Sequence, residues 1–324
     1  MSREITFIEA IREALTEEME RDERVFILGE DVGRLGGCYG ATAGFLERFG
    51  EKRVIDTPIS EALIVGAAVG AAITGLRPVP ELMFADFIAN AMDEVVHKAG
   101  KWRYMHGGLF NVPLVLRLPE GAAGGAGPEH SQCPEGLLWN APGLYVVIPS
   151  TPADAKGLLK SAIRDDNPVC FFEHKVLYYM TGEVPDGEHL VPLGKADIKR
   201  EGKDVTVVAW ALMVHKALEA AEQLAAEGIS VEVIDPRGLR PLDMDTIIHS
   251  LEKTGMIVFV QEAPKTGGPA GEIMALIAEH SLDLLAAPIK RVAAPDVPVP
   301  QNMRMEQLYV PSVADIVAAI REVV

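Results

Sequence analysis

The chain has 324 residues and a formal net charge of −17 at pH 7, and 48% of its residues are hydrophobic. This length suits two hydrophobic cores, so we expect two domains. The acidic balance excludes nucleic acid and anionic membrane surfaces as expected partners, because both require clustered Lys and Arg. The uncharged apolar stretch of residues 62–76 is too short and too rich in glycine to cross a bilayer.

The N-terminus and the cysteines indicate the cellular compartment and the kinds of covalent or metal site to expect. Residues 1–4 contain no apolar signal segment, so we expect a cytoplasmic protein. Cys38, Cys133 and Cys170 are far apart in the sequence. Their spacing suits neither a disulfide framework nor a zinc or iron–sulfur site.

The first predicted strand ends on two acids. Residues 24–29 form a buried strand after an amphipathic helix over residues 6–21, and Glu30 and Asp31 follow it directly. Ligands bind beyond the carboxyl ends of strands in open α/β sheets, so a site is expected here. The alternative is that one of these acids only caps the next turn.

A carboxylate lies at the start of the most apolar helix. Ser60 is a suitable N-cap after the turn at Pro58, which places Glu61 in the first helical turn, where the helix dipole favours a negative charge. The rest of the helix, to Gly75, is apolar on every face and is therefore predicted to be buried. A carboxylate at the wall of a pocket with little water can share a proton with a ligand. The alternative is an ordinary Glu that only stabilises the helix.

Two further strands lead into loops with reactive side chains. A strand from Pro78 runs into residues 83–87 and a helix over residues 88–104, where Met83 and Phe87 could also be plain core residues. The strand over residues 112–118 feeds a glycine-rich loop that lacks the Gly-x-Gly-x-x-Gly order of a dinucleotide site. A mobile loop that delivers His130 for proton exchange fits better, although a loop His without a role is the alternative.

The remaining chain predicts a second α/β domain. A polar stretch over residues 181–203 is predicted as a linker between domains 1–180 and 204–324. Strands and helices then alternate to the C-terminus, as they do in a parallel α/β domain. The predicted fold class is α/β, with two parallel-sheet α/β domains.

Several motifs together resemble a known family. They include residues 28–32, the Ile-Ser-Glu sequence at 59–61 within residues 56–75, residues 76–87, His130-Ser131-Gln132 and residues 163–168. The chain resembles the beta subunit of thiamine-diphosphate-dependent 2-oxo acid dehydrogenase components, a transketolase-like family. The resemblance covers nearly the whole chain and implies a transketolase-like pyrimidine-binding domain followed by a transketolase C-terminal domain.

The resemblance also implies roles for particular residues. The glutamate that matches Glu61 bonds the aminopyrimidine of thiamine diphosphate, and the matching histidine, His130, faces the substrate and the incoming lipoyl group. The implied cofactor-binding residues are Glu30, Ile59, Ser60, Glu61, Met83 and Phe87. The implied substrate residues are Phe84, Ala85, Asp86, Phe87 and His130. In some relatives a potassium ion is held by positions that match Leu114, Ala162, Ile163, Asp165 and Asn167.

One motif is absent from the sequence. Relatives that bind the diphosphate use Gly-Asp-Gly followed by Asn to hold magnesium, and no Gly-Asp-Gly occurs here. The resemblance therefore implies an alpha subunit that holds magnesium and diphosphate, in a heterotetramer of two alpha and two beta chains. It further implies a lipoyl acyltransferase core as partner, and pyruvate, a branched-chain 2-oxo acid or acetoin as substrate.

Two other functions are compatible with parts of the sequence. The first is a non-catalytic scaffold subunit that stabilises an alpha partner and docks to the acyltransferase core. Glu61 and His130 argue against it, since a scaffold has no use for a carboxylate facing a dry pocket. The second is a nucleotide-binding oxidoreductase, which lacks both its glycine fingerprint and the acid that follows it.

Overall fold

The structure is a computed structural model that describes residues 2–324. Their contacts divide the chain into two compact units. The first unit holds residues 2–120 and 137–193, and the second holds residues 121–136 and 194–324. No helix within residues 2–324 combines the length and the apolar character needed to span a membrane.

The first unit is built on a parallel sheet. Its strands are β1 (Ser2–Thr6), β2 (Val25–Gly29), β3 (Val54–Asp56), β4 (Arg77–Glu81), β5 (Val115–Glu120), β6 (Tyr145–Val147), β7 (Val169–His174) and β8 (Thr181–Pro185). Strands β6, β7, β5, β4, β2 and β3 lie side by side in that order, and each neighbouring pair is parallel. Strands β1 and β8 form a separate antiparallel pair. The parallel α/β sheet predicted for this part of the chain is confirmed.

Helices cover this sheet and connect its strands. They are α1 (Phe7–Arg21), α2 (Phe45–Phe49), α3 (Glu61–Ile73), α4 (Gly100–Met105), α5 (Glu135–Trp139) and α6 (Pro152–Arg164). The 3₁₀ helix Ala85–Ala91 and the π helix Asp93–Ala99 precede α4, so the predicted helix over residues 88–104 is present but irregular and starts earlier. Periodicity in the sequence identifies a helical segment, but it does not separate these closely related geometries.

Ion pairs join α1 to α6. The ammonium groups of Lys156 and Lys160 lie 2.6 and 2.5 Å from the carboxylate of Glu17. The guanidinium of Arg164 lies 2.6 Å from Glu18, which is fully buried. The sequence predicts α1 as a simple amphipathic helix. The pairing of its charges with those of α6 is a tertiary feature that links residues about 140 positions apart.

Helix α3 is buried on one face only. Ile64 and Val65 are fully buried, whereas Leu63 is 54% exposed and the preceding Ile59 is 82% exposed. The prediction that this helix is buried on every face is therefore wrong for the single chain. The physical reason is that the sheet and neighbouring helices of this unit cover one side, and the other side remains open.

The second unit is also an α/β structure. Its strands are β9 (Asp197–Arg200), β10 (Val205–Ala209), β11 (Val231–Asp235), β12 (Gly238–Arg240), β13 (Ile257–Pro264) and β14 (Lys290–Ala294). Its helices are α7 (Leu212–Ala225), α8 (Met244–Thr254), α9 (Ala270–His280), α10 (Met303–Tyr309) and α11 (Val313–Arg321). The sheet has the order β14-β13-β10-β11-β9, and it is parallel except for β9 at its edge.

Residues 181–203, which we predict to be a linker, contain strands β8 and β9. The first of these pairs with β1 in the first unit, and the second pairs with β11 in the second unit. Polar composition indicates a connection between domains, but it does not exclude edge strands, whose outer face is open to water.

A buried ionic cluster lies in the centre of the first sheet. Arg117 on β5 donates two hydrogen bonds of 2.7 Å to Glu173 and a further one to Glu81 on β4. Tyr178 donates to the same carboxylate of Glu173 at 2.7 Å. All four side chains are at least 95% buried. Burial raises the pKa of Glu81 above its ordinary value, although the charge of Arg117 opposes this.

We expect Arg117→Met to lower the free energy of unfolding by roughly 3–5 kcal/mol, because it leaves two buried carboxylates without their cation. The measurement is urea unfolding of the purified chain, followed by circular dichroism. Arg24→Met is the matched control, since Arg24 pairs with Asp22 at the surface, and it should cost less than about 1 kcal/mol. Equal losses in the two variants would show that the buried cluster has no special role in stability.

Candidate active site

The carboxyl ends of β2 and β3 meet at one edge of the first sheet. Thr57 N donates to Gly29 O at 3.0 Å, which places the residues after both strands next to each other. A side chain on Gly29 would lie 2.6 Å from Glu81 O, so this close packing of β2 against β4 requires glycine. Asp56 accepts from Gly33 N at 2.6 Å and thereby fixes the loop that follows β2. The site expected beyond these strands is therefore built on rigid elements.

Glu61 and Glu30 are two of the carboxylates at this edge. Glu61 is the first residue of α3 and is only 8% exposed. Burial raises the pKa of Glu30, and the negative charges of Glu61 and Asp31 raise it further. The Oε1 atom of Glu30 is buried and lacks a hydrogen-bond partner among residues 2–324. An unpaired buried carboxylate oxygen is costly, so it is well placed to meet a polar group of a ligand.

Ser60 and Ile59 precede Glu61, and neither side chain is fixed by a hydrogen bond or by burial in this unit. Ser60 occupies the predicted N-cap position, and its carbonyl accepts from Ile64 N at 3.0 Å. Its hydroxyl, however, makes no capping bond to the described chain, because the backbone there has φ −165° and ψ 87°. The side chain of Ile59 is exposed. Both side chains are therefore available for contacts outside this unit.

Residues 83–87 follow β4 directly. Met83, Phe84 and Phe87 are partly buried, and Ala85 is fully buried. The rings of Phe84 and Phe87 lie 5.9 Å apart in an edge-to-face arrangement. A thioether and an aromatic face that keep part of their surface open can pack against a flat ring.

Two residues beside Phe84 are missing from the predicted site. Tyr39 lies edge to face with Phe84, at 6.5 Å between the ring centroids, and burial raises its pKa to about 12. Lys175 places its ammonium 5.1 Å from the centre of the same ring, although its side chain is almost fully buried. Tyr39 lies in the loop after β2, where the sequence predicts no site residue, and its aromatic type was the one available signal. Lys175 directly follows a strand, and that position could have drawn attention to it.

His130 belongs to the second unit, on a loop that spans residues 121–136. Its side chain is partly buried, and its backbone N–H donates to Gly127 O at 3.3 Å. At the end of the loop, Glu135 accepts from Trp210 Nε1 at 3.1 Å. Burial raises the pKa of Glu135 to about 7, and the nearby charge of Glu262 adds to this effect.

The residues of the predicted potassium site lie around the end of α6 and the turn after it. Asp165 Oδ1 accepts from the backbone and side-chain nitrogens of Asn167, both at 2.8 Å. The carbonyl oxygens of Ile163 and Asp165 both accept from one nitrogen of Arg77, at 2.9 Å each. Those of Leu114 and Ala162 accept from the backbone N–H groups of residues 169 and 165. A potassium ion at this turn would lie beside the fixed positive charge of Arg77, so the residues present do not fit it well.

Parallel strands that end beside carboxylates, followed by a second α/β unit, are typical of α/β enzymes that bind a ligand at the strand ends. Residues 3–181 match the transketolase pyrimidine-binding domain, and residues 194–316 match the transketolase C-terminal domain. The chain belongs to the transketolase-like family of dehydrogenase beta subunits, as its relatives show.

These relatives are similar over their whole length. The beta subunit of 2-oxoisovalerate dehydrogenase from Bacillus subtilis is 49% identical, over 98% of each chain. The beta subunit of acetoin:2,6-dichlorophenolindophenol oxidoreductase from the same organism is 48% identical, over 99% of this chain and 98% of the other. A mitochondrial pyruvate dehydrogenase E1 component subunit beta-1 from Arabidopsis thaliana is 47% identical, over 98% of this chain and 89% of its own.

A solved structure agrees with this fold. It is described as a split gene transketolase in an inactive beta4 tetramer, and it superimposes with a TM-score of 0.81 over 98% of both chains. Its sequence identity of 24% supports the fold alone. The predicted architecture of two transketolase-like domains is confirmed.

We expect potassium to leave the thermal stability of this chain unchanged relative to sodium at the same ionic strength, because Arg77 already donates to two of the oxygens. The measurement is the unfolding midpoint Tm in the two chloride salts. In an Arg77→Met variant the two carbonyls lose their donor, and stabilisation specific to potassium should then appear. A potassium-specific rise in Tm of the unsubstituted chain would contradict this.

Proposed function

We propose that this chain supplies the pyrimidine side of a thiamine diphosphate site, in a dehydrogenase component that decarboxylates a 2-oxo acid or cleaves acetoin. The acyl group then passes to a lipoyl carrier. The observation that carries the proposal is the buried carboxylate of Glu61 at the first residue of α3, beside the unpaired oxygen of Glu30. When bound, thiamine diphosphate supplies the nucleophilic carbon that attacks the substrate carbonyl.

The residues of the first unit fit the aromatic end of this cofactor. Glu61 can share a proton with a ring nitrogen through a hydrogen bond, because little water competes at this position. Glu30 offers a second polar contact. Met83 and Phe87 offer the partly open apolar surfaces that a flat ring requires. Ile59 and Ser60 border the same end of α3.

The residues proposed to face the substrate are those that the family resemblance implies. Phe84, Ala85, Asp86 and Phe87 lie on the segment that follows β4, where the aromatic pair gives an apolar border. His130 is the proposed proton donor, and it also orients the lipoyl group. An imidazole suits this role, since it gains and loses a proton near neutral pH. The names of the relatives indicate pyruvate, 2-oxoisovalerate or acetoin as the substrate class.

The proposed partner is an alpha subunit that holds magnesium and the diphosphate. The open face of α3 supports this, because Leu63 and Ile59 expose apolar surface beside the cofactor residues. Two alpha and two beta chains form the proposed assembly, and a lipoyl acyltransferase core receives the acyl group. We place this assembly in the cytoplasm.

We expect Glu61→Gln to lower turnover of the assembled component by about 100-fold or more, the scale of losing a proton-transfer partner. Decarboxylation is measured with a saturating artificial electron acceptor, and assembly is checked by size-exclusion chromatography. Glu47→Gln is the matched control, because Glu47 also lies in the first turn of a helix but is exposed.

If Glu61 only stabilises its helix, both variants will keep nearly full turnover and the catalytic assignment is lost. That result would favour a scaffold subunit whose role is to hold the alpha partner. A large loss confined to Glu61→Gln supports the cofactor role.

A second test uses the chain by itself. We expect the isolated chain to fold and self-associate but to catalyse no thiamine-dependent decarboxylation. Contacts to the pyrimidine alone hold the cofactor too weakly to fix the reacting groups close together. Calorimetry with magnesium and thiamine diphosphate should show binding only after an alpha subunit is added. Tight binding and turnover by the chain alone would falsify the proposed division of the site.

A further inference from the structure

The glycine-rich loop of residues 121–136 is bonded to two carboxylates of the second unit. Ala122 N donates to Glu262 Oε1 at 2.6 Å, from the loop to β13. Gly125 N donates to Glu306 Oε2 at 2.9 Å, from the loop to α10. Hydrogen bonds to a charged acceptor are stronger than those between neutral groups. The sequence predicts a mobile loop, but these amides have fixed partners.

The same loop packs closely against the segment before α10. A side chain added to Gly125 would lie 2.6 Å from Gln301 O and 3.0 Å from Met303 Cγ. Its φ of +74° also favours glycine. Gly124 has a φ of +73°, yet a side chain there would meet nothing within 4 Å. Contact with residues 301–303 therefore distinguishes two adjacent glycines of nearly equal φ.

His130 is linked to this contact through the backbone of the loop. Its N–H donates to Gly127 O at 3.3 Å, and Gly127 is itself buried beside Gln301, where an added side chain would be in ordinary contact at 3.5 Å. At the base of the loop, Gly121 N donates to Gln132 O at 3.1 Å. A displacement of residues 125–127 would therefore be transmitted to His130.

The two carboxylates are largely shielded from water. Glu306 is 7% exposed, and Glu262 is 5% exposed. Helix α10 is fixed at its start by Asn302, whose side chain accepts from Arg304 N and Met305 N. Burying a carboxylate is unfavourable unless it is hydrogen-bonded, so these groups gain from meeting the loop amides.

We infer that Glu306 and Glu262 are positioning residues, which hold the loop so that His130 reaches the substrate. This inference rests on the proposed function, because that function assigns His130 to the substrate. Through these two carboxylates, the second unit would hold the loop that carries His130 during the reaction. The loop is ordered before substrate arrives, and the energy of ordering is not taken from substrate binding.

The first experiment compares Glu306→Ala with Glu306→Gln in the component assembled with its alpha subunit. We expect Glu306→Ala to slow acylation of a lipoyl domain about tenfold, the effect of losing one hydrogen bond to a charged group. Thiamine diphosphate affinity should change less than twofold. Glu306→Gln keeps an acceptor oxygen and should retain at least a third of the rate.

Hydrogen exchange gives a readout that does not depend on activity. Peptides that contain Gly125 should exchange faster in Glu306→Ala and remain protected in Glu306→Gln. The same pair of substitutions at Glu262 should act on peptides that contain Ala122. Unchanged protection in both alanine variants would overturn the inference.

The second experiment compares Gly125→Ala with Gly124→Ala. Both substitutions strain a positive φ, so the difference between them measures the contact with Gln301. We expect Gly125→Ala to slow lipoyl acylation at least fivefold more than Gly124→Ala. Equal rates would contradict the role of this contact.

His130→Ala separates this inference from the proposed function. If His130→Ala acylates the lipoyl domain normally, the role assigned to His130 fails, whereas faster exchange in Glu306→Ala still supports an ordered loop. If His130→Ala is slow and Glu306→Ala matches the unsubstituted component in rate and exchange, the positioning role fails and the proposed function stands.

Discussion

Arg117 connects three neighbouring strands through the carboxylates of Glu81 and Glu173, in the interior of the first unit. Charges are costly to bury unless their geometry pairs them, so this cluster allows little variation in how β4, β5 and β7 align. Glu81 is the last residue of β4, and Met83 follows two residues later. The position of the segment proposed to border the cofactor and substrate therefore depends on an ionic cluster that has no direct part in the chemistry.

The pKa of Glu30 depends on the neighbouring carboxylate of Glu61 at the edge of the first sheet. Burial favours the neutral form of Glu30, and the charge of Glu61 favours it further, so a proton at this edge is held more readily by Glu30 than by an ordinary glutamate. Together, Glu30 and Glu61 present carboxyl oxygen atoms to a ligand from one edge of the sheet.

The sequence was sufficient for the regular elements and for the residues at strand ends. Helix α1 occupies Phe7–Arg21, close to the predicted residues 6–21, and Glu61 is at the start of α3 as expected. The packing of Tyr39 and Lys175 against Phe84 and the ion pairs between α1 and α6 could not be predicted, because each depends on contacts between distant parts of the chain. The exposure of one face of α3 could not be predicted either, because composition does not distinguish burial within one chain from burial against a partner.

The loop of residues 121–136 shows a similar limit for domain organisation. Its residues precede Leu137, which belongs to the first unit, yet the loop itself groups with the second. Ala122 joins the hydrophobic core of that unit, and its N–H meets Glu262 there. A sequence boundary near residue 180 assigns the loop by its position along the chain, whereas hydrogen bonds and burial decide where it folds. Because buried backbone groups must be paired, the unit that supplies the acceptors is the one that controls the loop.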